Sequence, residues 1–269
     1  MKQKHVLYLL PLLAALLYGC DLSKDIEVVL PEHTSQLVVE AYLEQGKPYR
    51  LAVQESASYF DEPTVPLVPD AEAFITHNGN RVKLEYKPKL DENTGFIYTH
   101  SSPVIMDGKP GDMFLLEVTD GKGRKVTGYT TVLPSVAIDT VEWRFNKNDE
   151  ALLLTSFQDE AATRNFYRYM THLDSLSSGS KQDIFSNDEL TNGKRISFGS
   201  GYSYDPGDTV IVTLFNIEEQ YYEFLRSTSG AKDANGNPFA QPSKVKSSVL
   251  GGMGIFTNLA YERKVVIIR

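Results

Sequence analysis

Apolar and polar side chains alternate along most of this chain, and the alternation restricts what it can fold into. In Gln36–Glu44 (QLVVEAYLE) the apolar residues occupy every second position, while Glu40 and Tyr42 lie on the opposite face of the extended segment. The same period of two recurs in Tyr49–Val53 and in Arg81–Lys87. Because successive side chains of a strand point to opposite faces, this pattern is typical of strands with one buried face. The sequence therefore predicts an all-β fold.

A short turn signal marks one hairpin. Asn78-Gly79 separates the extended segments Ala71–His77 and Asn80–Lys87. Both central residues of a type I′ turn need a positive φ, which asparagine and glycine adopt most readily. We therefore expect the two segments to pair as antiparallel strands.

The tripeptide Pro-Gly-Asp occurs twice, each time before an apolar strand. Pro110-Gly111-Asp112 leads into Met113–Val118, and Pro206-Gly207-Asp208 follows 96 positions later. Proline presets φ at the first central position of a type II turn, and glycine supplies the positive φ at the second. After the first corner, Gly121-Lys122-Gly123 reverses the chain into Lys125–Leu133, an order typical of the last two strands of an immunoglobulin-like sandwich.

The spacing of the two corners predicts two domains. Sandwich domains of this type contain about 100 residues, close to the distance between the corners. We predict an immunoglobulin-like β-sandwich over residues 26–134 and a second, sandwich-like β domain over residues 135–269. The alternative is that Pro-Gly-Asp, a common turn, occurs twice by coincidence.

One segment of the second half departs from the period of two. Its apolar residues at helical spacing are Ile217, Tyr221, Phe224 and Leu225. These four positions share one face of an α-helix. Asn216 is suited to cap the N-terminus of this helix, and Gly230 is suited to end it. We predict one inserted helix at about 217–229.

The N-terminus reads as an export signal. Lys2 and Lys4 precede an apolar run over residues 6–17, which is too short to span a bilayer. Leu17-Tyr18-Gly19-Cys20 resembles the lipobox of bacterial lipoproteins, and Cys20 is the only cysteine of the chain. We predict a signal peptide over residues 1–19 and a lipidated tether over residues 20–25, with acyl chains on Cys20 that anchor the protein to a membrane without crossing it. The alternative is an ordinary secretory signal in which Cys20 is incidental.

The charge of the chain argues against nucleic acid as a partner. Removal of residues 1–19 takes away two lysines and no acidic residue, which changes the formal net charge from −8 to −10. An acidic domain without a cluster of basic residues attracts neither nucleic acid nor anionic headgroups. Asp21, Asp25 and Glu27 follow Cys20 closely and resemble the surface-export signals of Bacteroidota lipoproteins. The alternatives are a solvated acidic tether and display on the periplasmic face.

Several sequence segments, spread along the whole predicted mature chain, resemble those of one protein family. They are VVLPEHTSQLVVEAYLEQGKPYRLAVQESASYFDE, DIFSNDELTNGKRISF, YDPGDTVIVTL, EEQYYEFLRS, NPFAQP and GGMGIFTNLAYERKVVII. Their order is similar to that of a family of Bacteroidota outer-membrane lipoproteins described as a domain of unknown function (DUF 4249). The resemblance implies an outer-membrane lipoprotein, often encoded beside TonB-dependent receptors of the nutrient-uptake type. It implies no catalytic residues.

No motif of the chain indicates catalysis, a metal or a cofactor. The histidines of the predicted mature chain are His33, His77, His100 and His172. None of them belongs to a zinc-binding spacing such as His-Glu-x-x-His, and the chain has no Gly-x-Ser-x-Gly elbow and no phosphate-binding loop. Carboxylate pairs such as Asp159-Glu160 leave a hydrolase as one further hypothesis for the function. Sequence spacing alone, however, places no two of these carboxylates across a cleft.

Loop aromatics are the candidates for binding. Tyr59 and Phe60 lie between prolines, and Tyr202 and Tyr204 precede the second corner. Exposed rings on the loops of a sandwich suit peptides or sugars, and the alternative is that these rings pack in the core or between domains. We expect a non-catalytic accessory lipoprotein of a TonB-dependent nutrient transporter. The alternative is a stand-alone surface module that binds glycan or peptide.

Overall fold

The computed structural model describes residues 33–58, 64, 66–234 and 244–269. The predicted signal peptide, the tether with Cys20, and the loop aromatics Tyr59 and Phe60 lie outside the described residues. The chain divides into Met1–Thr34 and one compact unit, Ser35–Arg269, and the architecture that follows is that of the second unit.

Strands make up most of the compact unit. The first half contains β1 (Leu37–Glu44), β2 (Pro48–Glu55), β3 (Glu72–His77), β4 (Asn80–Asp91), β5 (Phe96–Ile105), β6 (Met113–Thr119) and β7 (Lys125–Thr131). The second half contains β8 (Thr140–Phe145), β9 (Ala151–Gln158), β10 (Phe166–Leu173), β11 (Ser180–Asn187), β12 (Arg195–Tyr204), β13 (Thr209–Ile217), helix α1 (Glu219–Ala234), β14 (Val249–Leu250) and β15 (Met253–Ile267). A single 3₁₀ turn, Leu176–Ser178, precedes β11. The prediction of an all-β fold with one inserted helix is confirmed for the described residues.

The strands form two sheets. Twelve strands pair in the order β11-β10-β13-β15-β1-β2-β5-β4-β3-β6-β7-β14, and β12-β9-β8 form a separate three-stranded sheet. The large sheet curls on itself, because side chains of β1 and β2 meet those of β3, β6 and β7 in one core. The small sheet packs on β10, β13 and β15 through a second core. Each half therefore has the layered form of a sandwich.

The described residues form three hydrophobic cores, and the first two draw on separate parts of the chain with one exception. Residues 37–132 fill the first core and residues 138–268 fill the second. Val249 and Phe256, from the far end of the chain, nevertheless pack in the first core. The C-terminal segment thus belongs to both halves.

The main chain of β15 also connects the two halves. Met253–Leu259 pair in parallel with β1, and the following residues, 260–267, pair antiparallel with β13. The apolar run at the end of the sequence covers only Lys264–Ile268, so the observed strand begins much earlier than this run. One strand therefore supplies main-chain hydrogen bonds to the first half and to the second.

A glycine allows β15 to approach β1. Gly254 has a φ of +125°, and a Cβ atom at this position would lie 1.9 Å from the carbonyl oxygen of Val39. A side chain here would meet both a backbone collision and a conformation that L residues rarely adopt. The parallel pairing of β1 with β15 therefore depends on this residue.

The first Pro-Gly-Asp corner holds the end of β7 against the start of β6. Gly111 has a φ of +95°, as the predicted turn requires. Its N–H group donates to the carbonyl oxygen of Val132 at 2.9 Å. The Asp112 carboxylate accepts the N–H group of Lys109 at 2.9 Å, which fixes the turn from inside.

The second corner repeats these contacts between β13 and β15. Gly207 has a φ of +97° and donates to the carbonyl oxygen of Ile268 at 2.7 Å. The Asp208 carboxylate accepts the N–H group of Asp205 at 2.9 Å. The two corners therefore make the same hydrogen bonds, and helix α1 lies where the first half has a tight reversal.

A cluster of hydrogen bonds, which we call the linker clamp, joins the two halves where the chain passes between them. The amide of Asn258, on β15, donates to Thr130 and Thr131 and accepts the N–H group of Leu133 at 3.3 Å. The Glu218 carboxylate accepts the Thr130 hydroxyl and, at 2.9 Å, the N–H group of Thr131. Because Asn258 is buried, loss of either partner would leave polar groups unpaired inside the protein.

Helix α1 begins and ends later than predicted. Ile217 remains in β13, where it pairs with Phe166 of β10, and Asn216 also lies in the strand and caps nothing. Pairing with a neighbouring strand overrides the local helical spacing. Gly230 does not end the helix, which continues for about one further turn. Within the described part of the chain, no helix has the length and apolar content needed to cross a membrane.

Replacement of Gly254 by alanine is expected to destabilise the protein, because the new methyl group would collide with the Val39 carbonyl and separate β15 from β1. We expect the free energy of unfolding to fall by about 2–4 kcal/mol. Gly46→Ala is the matched control, since Gly46 has a φ of +76° but nothing within 4 Å of its Cβ position. It adds backbone strain alone, at about 1–2 kcal/mol. Urea unfolding compares the two variants, and equal losses would contradict this account.

Candidate ligand-binding site

The β4–β5 hairpin carries a cavity. The pairing of β4 with β5 shifts its register between Tyr86 and Lys89, on either side of Pro88. Proline cannot donate to a strand ladder, and a bulge of this kind bends the strand that contains it. Residues of β2, β4 and β5 line a cavity of about 890 Å³ beside this bend, which we call the hairpin cavity. The volume lies within the range of small-ligand sites.

The lining of the hairpin cavity is polar and balanced in charge. Its charged residues are Arg50, Lys87, Lys89, Glu85, Asp91 and Glu92. Its other residues are Pro48, Leu90, Asn93, Tyr98, Ser101, Ser102 and Pro103. Cations and carboxylates are equal in number, and the ion pair within this described set joins Arg50 to Asp91. The other four charged residues of the lining have no ion-pair partner among the residues that the structure describes.

Arg50 is the most firmly placed of these charges. Its Nη1 donates to Oδ2 of Asp91 at 2.6 Å, and its guanidinium carbon lies 4.1 Å from the centre of the Tyr98 ring. Tyr98 is itself 9% exposed, and burial raises the pKa of its hydroxyl. A cation on a buried aromatic face gains attraction and loses rotational freedom. The guanidinium is thus held at the wall of the cavity.

Asp91 is held from the opposite side. Its Oδ1 accepts the N–H group of Asn93 at 3.0 Å, in the turn between β4 and β5. Burial raises the pKa of the Asp91 carboxyl, but the hydrogen bonds from Asn93 and Arg50 lower it by more, so the pKa lies below its usual value. The carboxylate is therefore ionised at neutral pH and orients Arg50.

An aromatic cluster ties the hairpin to the rest of the sheet. The ring of Tyr42, on β1, lies 6.3 Å from Phe96 of β5 and 5.9 Å from Tyr221 of helix α1. The Tyr42 hydroxyl donates to Glu40 at 3.1 Å. Burial raises the pKa of the Glu40 carboxyl, and this hydrogen bond lowers it by less. Through these edge-to-face contacts, the tip of the β4–β5 hairpin and helix α1 both pack against β1.

One family comparison covers most of the chain, including every residue of the hairpin cavity. The match extends over residues 23–264. The chain belongs to the family described as Domain of unknown function (DUF4249). The family resemblance that the order of the sequence segments indicated is therefore confirmed. A search of curated proteins finds no match for the DUF4249 chain.

Two solved structures resemble the DUF4249 chain distantly. A cytokine receptor complex has 11% identity and a TM-score of 0.24, and the match covers 66% of this chain and 82% of that one. The FN1–FN3 domains of chicken CNTN1 have 8% identity and a TM-score of 0.27, with 86% and 69% covered. Because both TM-scores are low, the fold is described from the strand pairing of the chain itself.

The predicted loop aromatics have different positions. Tyr59 and Phe60 lie outside the described residues. Tyr202, on β12, is 49% exposed and belongs to the small sheet, whereas the hairpin cavity belongs to the large one. Tyr204 is fully buried in the second core, where its hydroxyl bonds that of Thr171 at 2.7 Å. Tyr204 is therefore a packing residue, which corrects the prediction of a ligand-binding role for this ring.

Two of the histidines have clear structural partners. His100 is buried, with Nε2 at 3.0 Å from the carbonyl oxygen of Ala71 and Nδ1 at 2.8 Å from the Thr99 hydroxyl. Burial lowers the pKa of His100, which keeps the ring neutral. The ring of His77 stacks on Phe114 with 4.1 Å between centres. Among the residues that the structure describes, no three carboxylate, histidine or cysteine side chains are placed to hold a metal ion.

Sequence reasoning missed the hairpin cavity. Arg50 looks like an ordinary polar residue of an alternating strand, and its partner Asp91 lies 41 positions away. One local signal was present. Pro88 stands inside the alternating segment of β4, and a proline within a strand indicates an edge or a bulge. The sequence could thus have located the bend, but not the residues that meet there.

Replacement of Asp91 by asparagine is expected to loosen Arg50 and the hairpin turn. At neutral pH we expect the free energy of unfolding of the DUF4249 chain to fall by about 1 kcal/mol. Because the pKa of Asp91 is lowered in the folded state, its stabilising effect is present at neutral pH and disappears as pH falls through that lowered pKa.

Urea unfolding at neutral and acidic pH tests this dependence. The difference between wild type and Asp91→Asn should shrink in acid, where the wild-type carboxyl is protonated as well. Glu72→Gln is the control, because it removes a carboxylate from the exposed ion pair with Lys83 and should change stability less. A difference that is constant across pH would show that the charge of Asp91 contributes nothing.

Proposed function

We propose that this DUF4249 protein is a non-catalytic lipoprotein of the outer membrane that captures or presents a nutrient for a TonB-dependent transporter. The observation that carries the proposal is the hairpin cavity, which has the volume of a small-ligand site and holds Arg50 in a fixed orientation. Family membership is consistent with the proposal, because the sequence resemblance implies lipoproteins found beside such transporters.

The construction of the hairpin cavity supports capture. Its wall is built on paired strands, and Arg50 is fixed by both Asp91 and Tyr98. A side chain that is already immobilised, as Arg50 is, loses little conformational entropy when a ligand binds. Binding energy is then available for affinity instead of for ordering the site.

The proposed lipid anchor at Cys20 supports a function at the membrane surface. Acylation of Cys20 would fix the protein to the outer membrane through two or three chains, which do not dissociate readily. Proteins in the same membrane then become its natural partners. The alternative, a stand-alone surface module that binds glycan or peptide, would use the same cavity without a transporter.

Gentle detergent extraction of the envelope tests the proposed partner. A C-terminally tagged chain should co-purify with a TonB-dependent receptor in comparable amounts, and mass spectrometry should find acyl chains on Cys20. The Cys20→Ala variant, which cannot be acylated there, should lose both the membrane fraction and the receptor. Repeated isolation of the acylated wild type without a receptor would contradict the accessory role and favour the stand-alone module.

A further inference from the structure

We infer that the hairpin cavity binds the carboxylate of a uronic acid in a short oligosaccharide, and that Arg50 is the residue that contacts it. The inference rests on the proposed function, because it names the ligand class of the same cavity. Four features of the site carry it: the unused donors of Arg50, the way Arg50 is held, the unpaired lysines beside it, and the charge balance of the wall.

Most of the hydrogen-bonding capacity of Arg50 is unused. A guanidinium carries five N–H donors, and the one hydrogen bond it makes to the described residues is that to Asp91. The side chain is 30% exposed, so its free edge is open to a ligand. A planar guanidinium presents parallel donors that match the two oxygens of a carboxylate.

Arg50 is also oriented before any ligand arrives. Tyr98 supports one face of the guanidinium, and Asp91 fixes one edge. Asp91 is itself 10% exposed at its side chain and is held by the turn residue Asn93.

The lysines of β4 differ according to where they lie. Outside the cavity, Lys83 pairs with Glu72 of β3, and the nearby Arg81 pairs with Glu117 of β6. Lys87 and Lys89 line the cavity and have no ion-pair partner among the described residues. Unpaired cations beside a fixed arginine raise the local concentration of an anionic ligand.

The carboxylates of the wall limit the charge of the group that Arg50 can bind. Glu85 and Glu92 balance the two lysines, as Asp91 balances Arg50. At Arg50, a group with one negative charge would gain the free edge of the guanidinium, whereas a group with two, such as a phosphate monoester, would meet the repulsion of both glutamates. Each carboxylate of a uronic acid carries one charge on two coplanar oxygens and therefore meets this condition.

The remaining lining favours a sugar over a peptide. Asn93, Ser101 and Ser102 supply amide and hydroxyl groups that bond to sugar hydroxyls. Leu90 is the one aliphatic side chain of the lining other than two prolines, so the cavity offers little to the apolar side chains of a peptide. A uronic acid within an oligosaccharide carries both the carboxylate and the hydroxyls.

Isothermal titration calorimetry of the purified full chain in detergent tests the inference. The probes are trigalacturonate, its methyl ester, trialanine with a free C-terminus, and trialanine amide. We expect trigalacturonate to bind at least about 10-fold more tightly than the ester, as the loss of a charge-assisted hydrogen bond implies. Trialanine should bind weakly in both forms.

Substitutions in the wall of the cavity test whether Arg50 contacts the carboxylate of the ligand. Arg50→Gln should weaken trigalacturonate binding by about 10- to 100-fold, and Arg50→Lys, which keeps the charge but loses the planar fork, by less. Lys83→Gln is the matched control, since it removes a cation from the same strand outside the cavity, and it should bind like wild type. Thermal melts of each variant identify any loss that reflects unfolding, and Arg50→Lys keeps the test valid if Arg50→Gln does not fold.

Each outcome decides a different part of the inference. Equal binding of the acid and its ester, weakened by Arg50→Gln, would overturn the carboxylate and leave capture in the hairpin cavity standing. Tighter binding of free trialanine than of trigalacturonate would overturn the sugar as the source of the carboxylate. Wild-type binding by both Arg50 variants would overturn the role of Arg50. Failure of all probes to bind would overturn the inference, while co-purification with a receptor would still support the proposed function.

Discussion

The main-chain hydrogen bonds of β15 are the constraint on which the compact unit depends. The strand extends the sheet of the first half through its parallel pairing with β1, and it extends the sheet of the second half through its antiparallel pairing with β13. Its side chains also enter both cores, Phe256 in the first and Ile268, which directly follows the strand, in the second. Without this strand each half would expose an unpaired edge and an incomplete core, which proteins avoid. The two halves are therefore parts of one structure, although each has a layered form of its own.

The position of the hairpin cavity follows from this arrangement. Strand β1 lies between β15 and β2, and β2 pairs with β5, so the strands that carry Arg50 and Tyr98 continue the sheet that β15 fixes. Tyr42 of β1 contacts both the hairpin and helix α1, which connects the site to the second half. A ligand site built in this way is held by tertiary pairing and not by a mobile loop. The proposed capture of a ligand by preformed groups is consistent with such a scaffold.

What could be predicted from the sequence was local. The turn at Asn78-Gly79 has the positive φ values that its residues favour, and the two corners formed because proline and glycine set their backbone angles directly. Alternation identified strands, but it did not say which strands would meet. Tyr204 occupies a position that alternation cannot assign to a loop or to a core, and the structure buries it.

The features that could not be predicted depend on residues far apart in the chain. The early start of β15 is concealed by three glycines in the segment 251–254, and it is specified by β1, more than two hundred positions earlier. Helix α1 begins late because β10 holds Ile217 in a strand. The candidate site has the same origin, since the ion pair of Arg50 with Asp91 joins separate strands and leaves no pattern in either. Only Pro88 marked the bend beside which the cavity forms.

Differential scanning calorimetry of the purified chain tests the central claim, that β15 and the linker clamp make the two halves one cooperative unit. A single transition is expected, in which the calorimetric enthalpy equals the van't Hoff enthalpy. Two resolved transitions, with a calorimetric enthalpy well above the van't Hoff value, would show that the halves unfold independently and would contradict it.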